Sequence, residues 1–160
     1  MRLLLVSVGR LKAGPERDLA ARYLERAGAA GRPLGFSTID LREIEESRAR
    51  RPEDRKTEEA KLLRAQMPAS TKMILFDERG SASSSTDFAA LLGTLRDEGA
   101  PAIGLVIGGP DGLAPELRAE ATRSIAFGAM TWPHQLVRIM AAEQIYRAMT
   151  ILAGHPYHRE

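Results

Sequence analysis

Short apolar runs alternate along the chain with segments that carry apolar residues at helical spacing. Arg2 to Val8 is almost continuously apolar and ends at Gly9, which predicts a buried strand. Pro15 and Glu16 open a segment in which Leu19, Ala20, Tyr23, Leu24 and Ala27 share one helical face, closed by Gly28 and Gly31. Leu34 to Leu41 alternates well enough for a second strand. Between Arg42 and Arg64 stand eight basic and seven acidic residues with little apolar content. That stretch predicts a loop and then, from about Pro52, a surface helix laced with charge pairs. Its signs cancel, so it reads as a solvated face and not as a binding patch.

Lys72 to Asp77 is a compact strand signal, followed by the serine-rich Ser81 to Thr86, where Thr86 or Ser85 suits the N-cap of the next helix. That helix carries Phe88, Leu91, Leu92 and Leu95 on one face and stops at Gly99 and Pro101. Ala102 to Ile107 predicts a strand, Pro115 to Thr122 a short helix, Ser124 to Met130 a short strand and Pro133 to Ala153 a long final helix. Strands and helices alternate throughout, so the expected architecture is a mostly parallel sheet covered by helices. No internal repeat appears and the linkers are short, which makes residues 1–160 a single α/β domain.

Composition narrows the chemistry. Of 160 residues 44% are apolar and none is cysteine, which removes thiolate catalysis, cysteine-held metals and disulfides from consideration. No apolar run is long enough to cross a membrane, and Met1 to Val6 is too short for a signal-peptide core, so the expected location is cytoplasmic. The net charge of +2 cannot hold a long nucleic acid by bulk electrostatics; any anionic partner must meet a local patch. All three histidines, His134, His155 and His158, stand in the last 27 residues.

Ligands of open α/β sheets bind beyond the carboxyl ends of the strands, which singles out the loops after Asp77, Ile107 and Met130. Gly108-Gly109-Pro110-Asp111-Gly112 combines two glycines that permit close approach with a rigid Pro110 and an Asp-Gly turn. A ligand loop and a plain strand-to-helix turn explain it equally well. It lacks the spacing of a dinucleotide or phosphate loop. Thr131-Trp132-Pro133-His134-Gln135 places an extended backbone, with free amides and carbonyls, ahead of a helix whose first turn takes Pro133. Trp132 suits either the core or a ligand site. The last helix is apolar on more than one face, which suggests a subunit interface. Among its polar residues, Glu143 and Arg147 are placed to pair. Beyond it, Gly154 to Glu160 packs two histidines, a tyrosine and an arginine into a short tail of the kind that faces RNA or handles protons.

These motifs carry a resemblance. Ile107-Gly108-Gly109-Pro110-Asp111-Gly112-Leu113, Met130 to Arg138, Glu143-Gln144-Ile145-Tyr146-Arg147-Ala148 and His155-Pro156-Tyr157-His158 together resemble the bacterial large-subunit ribosomal RNA pseudouridine N3-methyltransferases of the SPOUT class. The opening Leu5-Val6-Ser7-Val8-Gly9 agrees; Arg42 to Met67 does not contribute.

The resemblance implies a parallel-sheet SPOUT fold with a deep C-terminal trefoil knot over about residues 72–153, an arrangement that general topology rules disfavour. It implies that S-adenosyl-L-methionine is held by Phe76, where relatives tend to carry leucine, by Gly108, and by Phe127, Gly128, Ala129, Met130, Thr131 and Trp132. It further implies a homodimer in which the tail of one subunit reaches the partner's cofactor, acting without metal on 23S ribosomal RNA in the assembled ribosome. On that basis His155, Tyr157 and His158 are the catalytic candidates, and His134, Arg138 and Arg147 the substrate-binding ones. A methyltransferase of the same fold acting on another RNA, such as transfer RNA, and a non-enzymatic ribosome-associated factor are the other readings.

Overall fold

The structure is a computed structural model and describes Met1 to Arg159; Glu160, the last residue of the expected tail, lies outside the described residues. Five strands form one sheet in the order β2-β1-β4-β3-β5, every neighbouring pair parallel: β1 (Arg2–Val8), β2 (Thr38–Ile44), β3 (Lys72–Ala82), β4 (Ala102–Ile107) and β5 (Arg123–Ala126). Parallel neighbours need long returns, supplied here by α1 (Pro15–Gly31), α2 (Pro52–Ala65), α3 (Ser85–Asp97) and α4 (Pro115–Glu120), with α5 (His134–Leu152) closing the chain.

Alternation along β1 assigns the two faces. Leu3 and Leu5 enter the core beneath α1, α3 and α5, while Leu4, Val6 and Val8 enter the core beneath α2 and α4. With both faces covered, β1 and β4 read as nearly continuous apolar runs instead of alternating ones.

Several boundaries differ from the sequence expectation, each for a local reason. The first helix runs through Gly28 to Gly31, because tertiary packing outweighs the weak helix propensity of one glycine. A 3-10 turn over Arg32–Leu34 and Gly35 at φ +91° follow, so β2 begins at Thr38 and not at Leu34. Phe36, fully buried, plugs the core at this corner, a burial that contributes about 1.5–3 kcal/mol. β3 continues past Asp77 to Ala82 through an irregularity between Phe76 and Ser81. Gly80 is required there, since a Cβ would stand 2.6 Å from the Ile125 backbone. The cap of α3 is Ser84, not Ser85 or Thr86: its hydroxyl accepts from the Asp87 amide, and Asp87 closes a capping box. β5 stops at Ala126 instead of Met130, and Pro133 is the N-cap of α5 instead of its first turn.

The two-sided apolar character of α5 has an explanation within the chain. The helix packs against α1 on one side and α3 on the other, burying Ala141, Ala142, Ile145, Ala148 and Met149. Only its first turn leaves a large apolar side chain, Leu136, exposed.

The charged segment is also less solvated than its balanced signs suggest. On α2, Ala60 and Leu63 are buried, and Glu59 is only 3% exposed, accepting the Ser47 amide at 3.0 Å. Burial raises the Glu59 carboxyl above the ordinary glutamate range, the nearby Asp111 and Glu46 charges add to that, and the Ser47 amide opposes it. The folded protein therefore holds this proton more tightly than the unfolded chain does. The associated stability is present below the unfolded pKa and is lost as pH rises through the folded one. Glu59→Gln keeps an acceptor for Ser47 without the charge. Its melting temperature is expected to exceed wild type near about pH 8 and to converge on it near about pH 4; a variant that melts lower at the higher pH contradicts this account.

Candidate active site

The carboxyl ends of β3, β4 and β5 deliver three loops to one edge of the sheet, where they enclose a cavity that is partly open to solvent. Its walls are largely apolar. Phe76, at the end of the β3–β4 pairing, stacks on Phe127 with ring centroids 4.8 Å apart and 18° between planes, and Ile107, Leu113 and Val137 extend the surface.

The Gly108 to Gly112 segment is both a turn and a cavity wall. The Gly112 amide donates to the Gly109 carbonyl at 2.9 Å, Gly112 sits at φ +85°, and Gly108 and Gly109 line the cavity. A Cβ on Gly108 would meet Leu113 at 2.9 Å, so close backbone approach is built into the sequence. Asp111 does not face the cavity contents. Arg55 of α2 grips it with two hydrogen bonds, Nε to Oδ2 at 2.6 Å and Nη2 to Oδ1 at 3.0 Å, and so pins the turn. That guanidinium holds the Asp111 carboxyl below the usual carboxylate range.

The third loop runs from Phe127 to Pro133. Trp132 folds it by donating its indole N–H to the Phe127 carbonyl at 3.1 Å, and Gly128 turns at φ +102°. Among the described residues, the amides of Gly128 to Trp132 take no backbone partner. Phe127, Gly128, Met130, Thr131 and Trp132 line the cavity; Ala129 shares the loop but not the wall. At the start of α5, His134 lines the cavity and its Nδ1 is buried without a partner. A largely apolar cavity beside a loop whose amides are not used in backbone pairing is chemically suited to an adenosyl group, whose ring needs apolar surface and whose edge needs hydrogen bonds. Among the described residues, no group of three or more His, Asp or Glu side chains is placed to hold a metal.

Sequence reasoning did not find Asp77, which lines the cavity and pairs with Arg118 of α4 while accepting the Arg79 amide. Nor did it find Arg55. Pairs formed across 41 and 56 residues leave no periodic trace in the chain.

The candidates for substrate contact are dispersed. Arg138 is 2% exposed and directed inward: it pairs with Glu43 at 2.5 Å and donates to the Val8 and Gly9 carbonyls at 3.1 and 3.0 Å. Glu43 also accepts the Leu11 amide at 3.0 Å, so this pair ties α5 to β2 and to the loop after β1. In this chain, therefore, both Nη atoms of Arg138 are taken up by protein acceptors and only Nε lacks a partner. Arg147 grips Glu143 at 2.5 Å and lies 3.3 Å from His158 Nδ1. Tyr157 donates to Glu143 at 3.1 Å, packs its ring on Tyr146 and lies beneath the Arg147 guanidinium. Burial first, then the Glu143 carboxylate, push its phenol up to about 12, so it serves as a hydrogen-bond donor near neutral pH. His155 accepts the Tyr157 amide at 3.2 Å. None of the three tail residues lines the cavity of its own chain.

Comparison with known proteins agrees with this arrangement. A family model described as "Predicted SPOUT methyltransferase" matches residues 1–158. The chain is similar to the ribosomal RNA large subunit methyltransferase H of Methylocella silvestris, with 59% identity over the whole of both chains. It is similar to the protein of the same name from Beijerinckia indica, with 59% identity over 99% of each. A probable methyltransferase from Bordetella pertussis shares the fold, with a TM-score of 0.50 and 13% identity over 92% of this chain and 95% of that one. A match over nearly the full length, with the three loops gathered around one cavity, places the chain in the SPOUT methyltransferase family.

Proposed function

We propose that this chain methylates N3 of a pseudouridine in 23S ribosomal RNA, in the assembled ribosome, using S-adenosyl-L-methionine. The observation that carries the reading is the cavity formed by Phe76, Gly108 and the Phe127 to Trp132 loop, in a chain whose 59%-identical relatives are named ribosomal RNA large subunit methyltransferases. The free amides of Gly128 to Trp132 suit the adenine edge, the Phe76 and Phe127 rings its face, and the Asp77 carboxylate the ribose hydroxyls. Bound there, the cofactor supplies a methyl group already activated by its sulfonium. The protein's tasks are to align the base with that methyl and to accept the imide proton.

The trefoil knot over about residues 72–153 belongs to this proposal, supported by the convergence of its three loops on one edge. So does the homodimer. His155, Tyr157 and His158 stand apart from their own cavity, so a site that uses them needs the tail of a second copy. Exposed Met130 and Trp132 of the cavity loop, with exposed Leu136 in the first turn of α5, supply apolar surface for that contact. In such a site Tyr157 donates a hydrogen bond and a histidine accepts the proton. A cytoplasmic location follows from the ribosomal substrate.

Mass spectrometry of large-subunit RNA from cells with and without the gene tests the reading; the same methylated pseudouridine in both would overturn it. Arg55→Ala, which releases Asp111 and the Gly108 to Gly112 turn, is expected to weaken cofactor binding by about ten-fold in calorimetry. Deleting residues 154–160 is expected to lower kcat by about 100-fold or more, with cofactor affinity held within about two-fold. Sedimentation at assay concentrations is expected to give a dimer, and a fully active monomer would remove the composite site.

A further inference from the structure

A second cavity adjoins the first and shares Phe76, Phe127 and Gly128 with it. On its far side stand the serines of the β3–α3 loop and Gln144 of α5. Gly128 lines both cavities and has open space where a Cβ would stand. The orientation of the Gln144 amide is decided by its partners. Its Nε2 donates to Glu143 at 2.8 Å and its Oε1 accepts the Ser85 hydroxyl at 2.7 Å, an arrangement that a flipped amide could not make. These two bonds leave one N–H and one lone pair of Gln144 unused. Phe88 and Phe127 give the same cavity an apolar surface on which a flat ring can pack.

We propose that this second cavity receives the acceptor base, with Gln144 reading one edge of it; the inference rests on the function proposed above. A pseudouracil ring carries a free N1–H beside its C2 carbonyl, whereas in uridine the ribose occupies N1. The spare Gln144 acceptor and donor match that N1–H and carbonyl pair. N3 flanks the same C2 carbonyl on the side opposite N1, so contacts confined to the N1–C2 edge leave it open. Selection of pseudouridine over uridine then follows from one fixed amide, because a site built to hydrogen-bond an N–H rejects the analogue that lacks it. Ser85 and Glu143 are positioning residues that hold the amide. Glu143 is itself held by Arg147 and Tyr157 of the same chain, which fixes the position of its carboxylate.

The test measures methyl transfer by wild type, Gln144→Leu and Ser85→Ala to assembled ribosomes carrying either pseudouridine or uridine at the target position, with cofactor affinity and melting temperature measured alongside. Wild type is expected to prefer pseudouridine. Gln144→Leu is expected to lower the ratio of kcat/KM values by about ten-fold or more, and Ser85→Ala to lower it by less, both with cofactor affinity within about two-fold of wild type. A folded Gln144→Leu that keeps the full ratio overturns the subsite, as does a parallel loss of cofactor affinity, which would put Gln144 in the cofactor's own site. If Gln144→Leu does not fold, an unchanged ratio in Ser85→Ala overturns it instead. Wild type that methylates neither substrate overturns the proposed function, and the subsite with it.

Discussion

Parallel pairing of all five strands is the constraint from which the rest of the molecule follows. Each parallel step obliges the chain to return across a face of the sheet, so helices cover both faces and every strand ends at the same edge. Three of those ends, on β3, β4 and β5, are spatial neighbours although they lie far apart in sequence. The loops that leave them therefore share one space, and a cavity lined by backbone results without any loop being long.

Rigidity at that edge comes from charge pairs that reach into it from elsewhere. Arg55 pins Asp111, Arg118 pairs with Asp77, and Arg138 joins Glu43 to the carbonyls that end β1. Arg138 is nearly excluded from water and Glu43 is partly buried, and removing the Glu43 charge would leave the arginine buried and uncompensated, at a cost of about 3–5 kcal/mol at the buried limit. Pairs of this kind contribute little net stability when intact. Their effect is to hold loops in one conformation, which is what a binding edge made of exposed amides requires.

The same principle extends along α5. Its apolar residues are spent on α1 and α3 within the chain, and its polar residues form the line Ser85, Gln144, Glu143, Tyr157, with Arg147 and His158 beside it. This helix connects the two functional regions that the chain keeps apart, the loop edge and the tail.

Much of this architecture is legible in the amino-acid sequence. Continuous apolar runs locate β1, β3 and β4, because burial on both faces of a parallel sheet leaves few polar positions, and helical spacing locates α1, α3 and α5. Glycine chemistry marks Gly108 to Gly112, and the lone tryptophan marks the loop after β5. Boundaries shift wherever a tertiary contact competes with a local preference, as at Gly28, Ser84 and the Asp77 to Ala82 extension. The roles of charged residues are not legible at all. Arg138 has the sequence context of a substrate contact, and in this chain its Nη atoms are taken up by protein acceptors; the balanced charges of α2 suggest a solvated face, and two of its residues, Arg55 and Glu59, support the Gly108 to Gly112 turn. A side chain's hydrophobicity is its own property and shows in sequence. What a charge does depends on which partner the fold brings to it, and only the tertiary structure decides that.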